Sequence, residues 1–219
     1  QIATTNEGLF KAQDDLGTSY YFRGAVDNNW VKFGKDSSGK DIYWRIIRIN
    51  GDGSIRMIYT GTTAPTESTK VVMTGTGTQI GTSAFNSSDN KAEYVGYMYQ
   101  LGQQHGNKNS TSSAIKTTID NWYKTTTLET DLKTKSLVVD QIFCNDRTAS
   151  TSNVTYSTTN YTTLTSWNST ETDYKYGAYG RLDDFNSNRT PILTCPTASD
   201  KFTVNTSNGN GALTYPVGL

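Results

Sequence analysis

The sequence predicts an α+β fold in which strands dominate and helices are few and short. Three observations carry that prediction. Thr and Ser together make up about a quarter of the chain and Tyr occurs 14 times, a mixture that favours pleated strands over helices. Two β-rich runs flank Asn50-Gly-Asp-Gly53, and those four residues tolerate the positive φ angles of a hairpin turn. Clear helical spacing is confined to the stretch around Ile115 to Tyr123.

Taken in order, residues 1–17 are polar and read as a lead-in, with residues 18–219 as one β-rich domain carrying long loops. Thr18-Ser-Tyr-Tyr-Phe-Arg23 and Trp30-Val-Lys-Phe33 read as strands, separated by the turn residues Asp27-Asn-Asn29. The runs 43–49 and 54–59 form the hairpin around Asn50-Gly-Asp-Gly53. That loop shares residues with a calcium loop but lacks the downstream bidentate Glu, so it is read as a turn. Residues 60–110 are rich in Gly, Thr and Ser, with apolar islands at 71–73 and 94–99. Ile115, Ile119, Trp122 and Tyr123 then fall on one helical face behind the caps Ser112 or Ser113, predicting a helix over about 113–124. A second short helix over about 128–134 is expected to contain Leu128 and Leu132. Residues 136–143 read as a buried strand or extended segment ending at Cys144, residues 147–173 as a long exposed loop or hairpin, and the remainder as short extended pieces.

Composition narrows the function. Only 34% of residues are apolar and 18% charged, with 20 basic and 20 acidic side chains. Disorder usually combines high net charge with few aromatics, and this chain has the opposite on both counts. Without a basic run there is no electrostatic footprint for nucleic acid or anionic lipid, and no stretch reaches the length of a membrane span. Cys144 and Cys195 lack metal-ligand spacing and read as one disulfide; two buried thiols in a cytosolic protein are the alternative.

Little in the chain points to catalysis. The single histidine, His105, lies in a polar loop, so neither a zinc site nor a Ser-His-Asp or Cys-His constellation can be assembled. No nucleophile elbow or phosphate-binding loop occurs. Carboxylate pairs drawn from Asp14, Asp15, Glu171, Asp173, Asp183 and Asp184 are the one enzymatic option, as the two acids of a glycosidase. The aromatics offer more. Tyr156, Tyr161, Trp167, Tyr174, Tyr176 and Tyr179 crowd a segment almost free of aliphatic residues, with Arg181, Asp183 and Asp184 as polar neighbours. Such rings stack on sugar faces while polar groups fix orientation, although Tyr alternating with Thr also makes an ordinary strand.

Several segments together resemble a family of repeated, Thr/Asn/Tyr-rich surface proteins of gut-dwelling Gram-positive bacteria. They include Tyr20-Tyr-Phe-Arg-Gly24, Trp44-Arg-Ile-Ile-Arg-Ile-Asn-Gly-Asp-Gly-Ser-Ile-Arg56, Ile119-Asp-Asn-Trp-Tyr123, Phe143-Cys-Asn-Asp-Arg147 and Leu213-Thr-Tyr-Pro-Val-Gly-Leu219. The resemblance runs from about residue 8 to the end. It implies an extracellular, cell-surface location, often behind a pilin-like or membrane-anchoring N-terminus. It also implies that the cysteine after Phe143 and the one before Pro196 pair. In such relatives a further segment follows the Tyr-Pro-Val-Gly-Leu motif and resembles the end of a C-type-lectin-like or formylglycine-enzyme-like fold, to which this chain would then supply the first part. The expectation is therefore a non-catalytic, adhesin-like module without cofactor or metal, binding a glycan or a host or bacterial surface protein. The rival expectation is a subunit of a pilus or filament that pairs with its neighbours.

Overall fold

The structure, a computed structural model, describes residues 7–70, 74–87, 96–99, 110–144, 191–195, 198, 201–207 and 211–218. The chain is α+β and strand-dominated, as the sequence predicts, with three short α-helices and antiparallel sheets among the described residues. Where the sequence reading has one domain over 18–219, residues gather into two compact units. One comprises Gln1–Thr82 with Asn121–Val139, the other Ser83–Asp120 with Asp140–Leu219.

The first unit is built on a branched five-stranded sheet of β1 (Gly8–Asp14), β2 (Gly17–Arg23), β3 (Trp30–Lys35), β4 (Asp41–Ile49) and β5 (Ile55–Gly61). One edge of β4 pairs with β5 along its length, while the other is shared between β3 and the middle of β2. β1 is a correction to the expected lead-in. Its residues pair in unbroken register with β2, from Gly8 opposite Arg23 to Asp14 opposite Gly17. Leu9, Lys11 and Gln13 alternate there with Phe10 and Ala12, and the Phe10 ring stacks on Tyr21 at 5.7 Å under the Arg23 guanidinium.

Two hairpin turns meet beside Asp14. Its carboxylate accepts the Leu16 amide of its own turn at 2.7 Å and the Gly51 amide of the β4–β5 turn at 2.9 Å. A Cβ on Gly51 would lie 2.4 Å from the Gly17 nitrogen, so the two backbones approach this closely only because position 51 has no side chain. Burial alone would raise the Asp14 carboxyl, but the amides of Gly51 and Leu16, helped by Arg48, outweigh it and hold the group below its ordinary 3.8. A native value below the unfolded one contributes stability in full above the ordinary carboxylate range. That contribution is lost as pH falls through the lowered native value. Asp14→Asn keeps one acceptor oxygen and the site is partly open to solvent, so it is expected to cost about 1 kcal/mol at neutral pH. The loss should shrink in acid, as urea titrations of both proteins at pH 7 and pH 3 would show.

Three helices follow the expected stretch. α1 (Ala114–Tyr123) is capped by Ser113, whose buried hydroxyl accepts the Lys116 amide at 3.1 Å. The helix expected over 128–134 is corrected to two short ones, α2 (Thr127–Thr130) and α3 (Leu132–Lys135). Asp131 stands between them in extended conformation and caps α3 through the Thr134 amide at 2.7 Å. Leu128 is buried, whereas Leu132 is exposed. Thr127 accepts the Lys35 amide at 2.7 Å and so seats α2 against the end of β3.

The second unit holds β6 (Met98–Tyr99) paired with β7 (Thr111–Ser112), and β8 (Phe143–Cys144) paired with β9 (Lys201–Phe202). Its core consists of Tyr97, Met98, Ile119, Phe202 and Leu213, with Ile115, Phe143, Ala212 and Val217 around them. Of the two forms expected for 136–143, a buried strand or an extended segment, the buried strand does not form. Only Phe143 of that run pairs as a strand, and Leu137 and Val139 are exposed. The backbone there closes local turns onto Thr134 and Lys135 instead of a ladder. The Asp140 carboxylate takes the amides of Val204 and Asn205. Cys144 and Cys195 form a disulfide across 51 residues.

Candidate functional site

The residues singled out in the sequence as a ligand surface, Tyr156, Tyr161, Trp167, Tyr174, Tyr176, Tyr179, Arg181, Asp183 and Asp184, lie outside the described residues. So do His105, Glu171 and Asp173. Of the carboxylate pair Asp14–Asp15, Asp14 is committed to two backbone amides in a turn. That arrangement stabilises its anion and disfavours a general-acid role. The Asn50-Gly-Asp-Gly53 loop closes as a turn with its own side-chain oxygens engaged. Asn50 Oδ1 accepts from Arg48, and Asp52 Oδ1 accepts the amide and hydroxyl of Ser54.

The described residues do bring together an aromatic group in the first unit that the sequence reading did not name as a site. Register places Trp44 of β4 opposite Tyr59 of β5, so both rings project from the same face. The last turn of α1 adds Trp122 and Tyr123. Trp122 lies 6.3 Å from Trp44, 5.3 Å from Tyr59 and 6.4 Å from Tyr123, each pair edge to face. This is the preferred geometry for aromatic quadrupoles. Trp44 is buried and fixed by its indole N–H, which donates to the Phe33 carbonyl at 2.7 Å. Tyr59 and Trp122 are half-buried. Ile42, Tyr123 and Leu128 of the same unit are buried more deeply.

Charge near the group is acidic. Burial raises the Tyr59 phenol above its ordinary value and the Asp36 carboxylate raises it further, so the hydroxyl stays a neutral donor. Asp36 is held in the β3–β4 turn by the amides of Ser38 and Lys40 at 2.9 and 2.8 Å. Rings that are partly open, a phenol donor and a nearby carboxylate provide the elements that orient a polyhydroxylated ligand on an apolar wall. Elsewhere on the sheet, Arg48 and Arg56 are cross-strand partners. Burial lowers Arg56 to about 10, with the Arg48 charge adding to the effect.

The signal that could have found the aromatic group was half present. The hairpin turn around 50–53 implies that Trp44 and Tyr59 face each other, but nothing local brings Trp122 to them. Among the described residues no helix is long and apolar enough to cross a membrane. Comparison with protein-family models, with curated proteins and with solved structures gives no match.

Proposed function

We propose that the chain is an extracellular, cell-surface binding module that takes a glycan or a protein ligand and performs no catalysis. The observation that carries this reading is the pair of half-buried rings Tyr59 and Trp122, 5.3 Å apart, with the Asp36 carboxylate close enough to act on the Tyr59 phenol. The Cys144–Cys195 disulfide fits an oxidising compartment such as the cell exterior. The resemblance to surface proteins of Gram-positive bacteria points to the same place. The tyrosines and tryptophan between 156 and 179, with Arg181, Asp183 and Asp184, remain the proposed ligand surface from sequence, and Tyr59 with Trp122 is a second.

A glycan and mucin binding screen on the purified chain, with and without calcium, tests the reading. Specific retention is expected, falling about tenfold when one stacking ring is removed. Loss in Trp167→Ala or Tyr176→Ala assigns the 156–179 surface, and loss in Tyr59→Ala assigns the hairpin surface. No retention by protein with a native circular-dichroism spectrum would overturn it.

A second reading, a subunit of a surface filament, is favoured by β5. Among the described residues this strand pairs only with β4, and it presents Ile55 and Ile58 at 55% and 52% exposure. An unprotected strand edge is a ready template for a neighbouring chain. Concentration-dependent polymers in sedimentation, without retention in the screen, would move the assignment there.

A further inference from the structure

We propose that Lys116 and Asp120 join their side chains in an intramolecular amide, a covalent crosslink along α1. Lys116 is 1% exposed and is the largest fully buried side chain among the described residues. Its Nζ lies 2.6 Å from Asp120 Oδ2 and 3.1 Å from the Thr214 hydroxyl. The Asp120 side chain is itself only 17% exposed. Positions i and i+4 share one face of a helix, so the backbone holds both groups in register without a long-range rearrangement.

The energetics favour the product. An ammonium and a carboxylate taken out of water lose several kcal/mol of hydration each, which their attraction recovers only with excellent geometry. An amide removes both charges. It keeps one N–H to donate to Thr214 and one carbonyl to accept. Tyr97, a core residue of the same unit, feels this pair: its phenol is raised first by burial and then by the Asp120 carboxylate. A phenol that keeps its proton can hydrogen-bond the carboxyl oxygen as it leaves.

The step balances without any co-reactant. The ammonium passes a proton to Asp120 across the existing hydrogen bond, and the nitrogen lone pair attacks Cγ. The N–Cγ bond forms, the Cγ–Oδ2 bond breaks, and Oδ2 leaves as water with the proton it received and a second one from the nitrogen. No atom changes oxidation state overall. The ring closed is short, so the crosslink fixes the helix and neutralises its buried face and adds little loop-closure entropy.

Intact mass of the full, folded, unreduced chain is the test. The expected mass is one water below the sequence mass, beyond the two hydrogens lost to the disulfide. Trypsin should leave the bond after Lys116 uncut, and tandem spectra should place the loss on a fragment spanning residues 116–120. Lys116→Arg and Asp120→Ala should each regain the water. Asp120→Asn, by losing ammonia instead, should give a product of the wild-type mass. Because the decisive reading is made on the unaltered protein, poor folding of a variant does not blunt it. A wild-type mass lower only by the two disulfide hydrogens overturns the proposal. So does a water loss mapped to Asp52-Gly53, which would be a succinimide in the exposed turn.

Discussion

Replacing Cys144 with Ser is expected to lower the stability of the second unit by about 4 kcal/mol, the chain-entropy value for a crosslink closing a loop of this size. The bond spans 51 residues, and its first cysteine is the last residue of β8. β8 and β9 are each two residues long, with Phe143 opposite Phe202 and Cys144 opposite Lys201. So short a ladder contributes little alone, because an isolated two-stranded pair is marginal in water. The crosslink restricts the unfolded chain and so makes the pairing affordable. Urea unfolding followed by near-ultraviolet circular dichroism should show the midpoint fall in Cys144→Ser, in Cys195→Ser and in reduced wild-type protein by similar amounts. Equal midpoints with and without reductant would mean that the unfolded chain is already restricted over that span.

The sequence made the hairpin and the main helix legible for the same reason: each is specified by residues close in the chain. Asn50, Asp52 and Gly53 close a turn that brings β4 and β5 together, and Ser113 caps a helix whose apolar face is set by periodicity. Strand β1 carries the period-2 alternation but has only Leu9, Phe10 and Ala12 as apolar residues, too weak a signal until its pairing with β2 is known. At 136–143 the strand alternative fails for the opposite reason. Leu137, Val138, Val139 and Ile142 suit a strand by propensity, yet β-propensity is largely a statement about neighbours. Here Asp140 turns its carboxylate to the amides of Val204 and Asn205, and no ladder forms before Phe143. The burial of Lys116 was equally hidden. Its i, i+4 partner is visible in the sequence, but its second partner, the Thr214 hydroxyl, comes from far away along the chain. The aromatic group of Trp44, Tyr59 and Trp122 shows the same limit, two rings placed by a local turn and the third by tertiary structure.

Phe202→Ala should destabilise the second unit by about 4 kcal/mol, the upper range for truncating a buried aromatic. The ring is 1% exposed, lies 6.5 Å from that of Tyr97 and belongs to the same cluster as Met98, Ile119 and Leu213. These neighbours come from three separate stretches of chain, so their backbones cannot all collapse into the space the ring leaves. The residue after Phe202 is also tied down, since the Thr203 carbonyl accepts the Leu213 amide at 2.9 Å and its hydroxyl is bonded to Asn205. Phe202→Leu, which restores most of the volume, should cost only about 1 kcal/mol, and that contrast separates a cavity from a general loss of fold. The effect should not add to that of Cys144→Ser. Both changes weaken the same β8–β9 pairing, and contacting sites couple by about 0.5–3 kcal/mol. A double variant that loses less than the sum of the two single losses would show that disulfide and ring act on one cooperative element. Full additivity would place them in regions that open independently.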